Sequence, residues 1–213
     1  DLSPRGLSEQ QVRAVWVKVA NRRPSVALPA AGADAFALER LLGDIARALR
    51  VRYPNVEMVF LSSRIYAGYA MGPLNPEPYA YESGFSVKWV IEAQIAQAAS
   101  GSVDDQAGDL QLGVVAPWLG WGPYLWADGV DGRATDDLVW LEEDFREHGT
   151  HPSSSGQRKV ADLLTAFLAA AVVGLFEETI AAVTALAVLL PVEIGRAHAE
   201  LQSQFRISYA VFC

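Results

Sequence analysis

A single cysteine, Cys213 at the last position, leaves no internal disulfide and no cysteine-based metal cluster for this chain. Histidine is scarce as well, with only His148, His151 and His198. Clusters of Lys and Arg are missing: 17 basic residues stand against 25 acidic ones, and the net charge of −8 excludes nucleic-acid binding driven by phosphate contacts. Asp1-Leu2-Ser3-Pro4 has neither the basic start nor the apolar stretch of a signal peptide, so the compartment is not set by the sequence and secretion stays open. The two long apolar runs, 163–176 and 179–192, are separated by Glu177-Glu178. Each is shorter than the roughly 20 residues that cross a bilayer, so they read as buried or interfacial helices rather than a span. No internal repeat or low-complexity tract is present, and the residues imply no cofactor and no metal.

What is present is the material of one domain, with 213 residues, 51% of them hydrophobic and 20% charged. Residues 12–19, VRAVWVKV, form a short run rich in β-branched and aromatic side chains and read as a buried strand ending at Ala20-Asn21. From Gly32 to Arg52, apolar residues recur at three- and four-residue steps, which predicts an amphipathic helix closed before Tyr53-Pro54. Residues 56–62, VEMVFLS, predict the next strand. The Gly- and Pro-rich stretch 63–78 reads as loop, 83–98 as helix, 112–119 (LGVVAPWL) as a third strand, and a helix is expected to run from Ser154 to Phe176. Continuous apolar strands alternating with helices are the signature of parallel βαβ packing, so the class is α/β.

The stretch EHGTHPSSSGQRKVADLL, 147–164, sets a His-Pro-Ser loop directly before a helix. Ser153, Ser154 or Ser155 can cap that helix, but a cap does not require His151. Together with WVKVAN (16–21), the long segment SSRIYAGYAMGPLNPEPYAYESGFSVKWVIEAQI (62–95) and APWLGWGPYLWADG (116–129), this stretch resembles a branch of the SGNH (GDSL-type) hydrolases over about residues 8–170. The resemblance implies a three-layer α/β/α, flavodoxin-like parallel sheet. It also implies a serine esterase mechanism, with a Ser nucleophile, a His base three residues after an Asp, and an oxyanion hole completed by a Gly and an Asn. His151 matches the base, where the plain alternative is a loop histidine that merely precedes a helix. Asn21 matches the oxyanion Asn, although many strands end in Asn for turn geometry alone.

Two departures from the family pattern carry weight. The Gly-x-Ser-Asn nucleophile stretch and the second block with its Gly belong upstream of a unit like 12–21, and the chain is expected to lack them together with the first strand. Ser62 and Ser63 are the local substitutes, but no Gly-x-Ser-x-Gly elbow surrounds them. At the acid position stands His148, which cannot stabilise an imidazolium as a carboxylate does. Asp144 or Glu147 can substitute only if the loop bends one of them to the ring. Arg64, Tyr66, Tyr69, Glu77, Tyr79, Tyr81 and Glu82 either shape a polar substrate pocket or pin a Pro-rich excursion. Trp118, Trp121, Tyr124 and Trp126 either stack on a sugar ring or form a satellite core beneath the loop.

After Pro191-Val192 the sequence no longer resembles a hydrolase. Back-translated, Glu193 to His198 and Ile207 to Cys213 match common short-read sequencing adapter, so 193–213 reads as an artefact and His198 and Cys213 carry no message. The expected organisation is a partial SGNH hydrolase-like domain over 1–170, an apolar helical tail over 171–192, and the adapter-like end. The expected function is that of a fragment of a serine esterase acting on an acylated carbohydrate or other small ester, inactive as it stands. A non-catalytic glycan-binding relative of the same fold is the competing class, and an unrelated α/β domain is the third. The partner in either leading case is a small-molecule or glycan ligand, and the oligomeric state is not legible.

Overall fold

A computed structural model describes residues 6–185. The predicted residues 186–192 of the apolar tail and the adapter-like residues 193–213, with His198 and Cys213, lie outside the described residues. Three parallel strands, β1 (Ala14–Lys18), β2 (Met58–Ser62) and β3 (Trp118–Trp121), stand in the order β1-β2-β3, with Val15 beside Val59 and Val59 beside Leu119. Helix α1 (Asp34–Arg52) joins the first two strands, α2 (Tyr79–Ser100) precedes β3, and α3 (Ser154–Ala185) follows the histidine loop.

Strand alternation sends side chains to two faces. Val15, Val59, Leu61 and Leu119 point to the first, where they are buried with Leu38, Leu42 and Ala46 of α1 and Val87, Val90 and Ile91 of α2. Phe36 and Trp89 stack 5.0 Å apart where the two helices meet. Trp16 and Phe60 point to the second face, where Phe60 packs edge-on against Trp118 and against Phe167 of α3. Helices therefore cover both faces of a parallel sheet, an α/β architecture consistent with three layers.

Beyond shifts of one or two residues at the ends of β1, β2 and α1, three elements differ from the sequence reading. Helix α2 begins at Tyr79 rather than Ser83, because the Glu77 carboxylate accepts the Tyr81 N–H at 3.0 Å and so supplies a partner to a first-turn donor. The predicted strand 112–119 is a turn up to Pro117, and β3 starts at Trp118. Gly113 has a φ of 73° there, its N–H donates to the Ala116 carbonyl, and Val114 is left exposed. The side chain of Gln94 fixes this arrangement from α2: its amide donates to the carbonyls of Leu110 and Pro117, and its oxygen accepts the Leu119 N–H at 2.8 Å. Helix α3 continues through Glu177-Glu178, since glutamate is a good helix former and two in succession do not break the backbone. No helix of the described residues is long and apolar enough to cross a membrane.

Candidate functional site

In a parallel sheet all strands end at one edge, and ligands of open α/β folds bind in crevices outside that edge. Here the carboxyl ends of β1 and β2 border a cavity of about 320 Å³ lined by the stretch from Lys18 to Arg22 together with Arg64, Leu74 and Asn75. Asn21 reaches it because β1 stops at Lys18 and the chain turns away. Its side-chain amide donates to the Asp34 carbonyl at 2.7 Å, which anchors the residue to the first turn of α1. Arg64 enters from the loop after β2, with its own N–H bonded to the Ser83 hydroxyl and its guanidinium Nη2 donating to the Thr150 carbonyl at 3.2 Å.

That last bond links the wall residue Arg64 to the histidine loop, since Thr150 immediately precedes His151, although neither Thr150 nor His151 itself lines the cavity. The loop is built to turn sharply. Gly149 has a φ of 62°, and a Cβ added there would lie 1.8 Å from the Tyr69 carbonyl oxygen, so only glycine fits. The Met71 N–H donates to the His148 carbonyl, and the Arg146 N–H to that of His151. Both histidine side chains are exposed, and neither makes a hydrogen bond within the described residues. His148 thus stands beside the loop as a surface residue, not as an orienting group for His151.

Asp144, one of the two candidate substitute acids, is committed elsewhere. It is buried, its carboxylate pairs with Lys159, and it accepts the Leu141 N–H and the Ser155 hydroxyl, both at 2.9 Å. Burial alone would raise its pKa, but these donors and the Lys159 charge outweigh it and hold the carboxyl below the usual range. The serines of the loop are used similarly. Ser153 and Ser155 donate to the Glu143 carbonyl rather than accepting helix N–H groups, so they tie α3 to the preceding turn.

Of the residues expected to touch substrate, Arg64 lines this cavity, whereas Tyr66, Glu77, Tyr81 and Trp121 do not. Glu77 accepts the N–H groups of Ala67 and Tyr81 and the Trp126 indole N–H, so it holds the long loop in shape. Tyr66 packs on Tyr69 and Trp126, and Tyr81 on Trp126 at 4.7 Å. Trp121 meets Tyr124 edge-on and packs against the sheet core. These aromatics pack chiefly on one another, although Tyr81 remains 41% exposed. Ser62 and Ser63 are both buried, and the Ser62 hydroxyl accepts the Trp16 indole N–H at 2.9 Å, so neither is presented to solvent as a nucleophile.

Three polar cavity residues, Lys18, Arg22 and Asn75, escaped the sequence reading. Lys18 is the lone charge in the apolar run VWVKV, and that isolation was the available signal. Burial first, and then the Arg64 charge, lowers its pKa to about 8. Asn75 is 2% exposed, adopts a φ of 54°, and its side-chain oxygen is buried without a donor, as the Arg64 Nε is without an acceptor, among the described residues. No cluster of His, Cys, Asp or Glu in the described residues is arranged to hold a metal ion. Comparison of the chain with protein-family models, curated proteins and solved structures finds no match.

Proposed function

We propose that this chain is part of an SGNH-type serine esterase with a flavodoxin-like sheet, whose parent removes an acyl group from a carbohydrate or another small ester. The single observation that supports this reading is the bond from Arg64, which lines the cavity with Asn21, to the Thr150 carbonyl, one residue before His151. Acyl transfer requires a base and an oxyanion donor, and in this reading His151 and Asn21 take those roles. The chain by itself is inactive in this reading, because no Gly-x-Ser-Asn stretch occurs in it and Asp144 is bound to Lys159 instead of supporting His151.

The same observation about Asp144 favours a second reading, a non-catalytic relative that holds a glycan at this edge. The reading frame that contains the chain separates the two. With adapter-like sequence trimmed, a Gly-x-Ser strand-to-helix turn in that frame, and ester hydrolysis lost in His151→Ala and blocked by a serine-directed phosphonate, support the esterase. A frame without that turn, or one whose hydrolysis is indifferent to His151→Ala, leaves the binder. Phosphonate-sensitive hydrolysis by residues 1–213 alone would show the inactivity claim to be wrong.

A further inference from the structure

We propose that the cavity at the carboxyl ends of β1 and β2 binds its ligand through an oxyanion, the carboxylate or phosphate of an acidic sugar. The lining has three cationic residues, Lys18, Arg22 and Arg64, and no Asp or Glu. Lys18 and Arg22 form no ion pair among the described residues, and the Arg64 guanidinium is bonded to a backbone carbonyl. The carboxylate that acts on Arg64 is that of Glu77, whose two oxygens already accept three N–H groups of the long loop. Like charges gathered at a concave site with no acidic residue in its lining raise the free energy of the empty protein, and an anion entering there relieves it.

The hydrogen-bonding inventory narrows the ligand. A buried polar atom without a partner costs about 1–3 kcal/mol, and two belong to lining residues, the Arg64 Nε–H that needs an acceptor and the Asn75 Oδ1 that needs a donor. An oxyanion with a neighbouring hydroxyl supplies both. The volume, about 320 Å³, admits a group of monosaccharide size. The sugar class deepens the ester-site reading above and rests on it, whereas the charge argument holds without it.

The test needs no catalysis. The chain is titrated with glucuronate, glucose 6-phosphate and glucose at matched ionic strength, following the thermal midpoint and the NMR signal of the Lys18 amine. One or both acidic sugars should raise the midpoint and shift that signal while glucose does neither, and the stronger of the two identifies the oxyanion. Lys18→Met should weaken the acidic sugar about tenfold or more without lowering the midpoint of the ligand-free protein, and the remote Arg13→Met should leave binding unchanged. Acidic sugars no better than glucose, or a Lys18→Met variant that binds them as well as the parent chain, would overturn the proposal. An inactive reading frame with intact oxyanion binding would instead remove only the esterase reading.

Discussion

Arg64 donates from Nη2 to the carbonyl oxygen of Thr150, 86 residues along the chain and 3.2 Å away. The bond ties the loop after β2 to the residue before His151, joining two stretches far apart in sequence. Replacing Arg64 with Met should speed amide hydrogen exchange at Gly149–His151 well before it alters exchange in β2, because strand hydrogen bonds do not depend on the guanidinium. Equal protection of the loop in both proteins would show that Arg64 does not hold it.

Lys159 pairs with Asp144 beneath the start of α3, with the carboxylate almost fully enclosed. Lys159→Met leaves that carboxylate with the Leu141 N–H and Ser155 hydroxyl but no cation, and should cost on the order of 2–4 kcal/mol in denaturant unfolding. The double variant Lys159→Met with Asp144→Leu should recover part of the loss. A single variant as stable as the parent chain would deny the pair its structural role.

Gly149 admits no side chain, both because of its φ and because the Tyr69 carbonyl occupies the Cβ position. Gly149→Ala should therefore destabilise by about 1–3 kcal/mol, with the chemical-shift changes centred on the histidine loop and on Tyr69 to Met71. Unchanged stability would mean that the turn relaxes without strain.

Glu39, which is buried, and Lys18, which is half-buried, give opposite pH dependences. Glu39 is 5% exposed, and burial first, then the charges of Asp104 and Glu92, raise its pKa to about 7 from 4.5. The folded chain then holds a proton that the unfolded chain releases, so stability falls as pH rises from 4.5 to 7, and Glu39→Gln should abolish that fall. Lys18 is depressed to about 8 from 10.5, so the unfolded chain binds more protons across that interval and stability rises with pH there. Lys18→Met should remove the rise. Denaturant midpoints measured from pH 4 to 11 on the three proteins decide both cases, and parallel curves would refute them.

Much of the scaffold was legible in the sequence. Continuous apolar runs gave β1 and β2, the three- and four-residue spacing gave α1, and the His-Pro-Ser loop marked the start of α3 at Ser154, because backbone pairing and burial impose those patterns locally. The same local signals misplaced β3, where VVAP is apolar enough to be a strand but is bent into a turn by Gly113 and by the reach of Gln94 from α2. The family resemblance marked Asn21 and His151, and the polar long loop marked Arg64, without saying which of them meet.

The cavity was settled by tertiary structure. Lys18 reads in sequence as an isolated charge in a strand, and Asn75 as one loop residue among many; they share a wall with Arg64 because parallel strands end at the same edge and the long loop folds back over it. The aromatics and Glu77, equally suited by sequence to bind a ligand, are consumed in holding that loop together. Residue type and spacing fix what a side chain is able to do. Which side chains are left with unmet charge and unmade hydrogen bonds depends on partners distant in the chain, and only the packed structure assigns those.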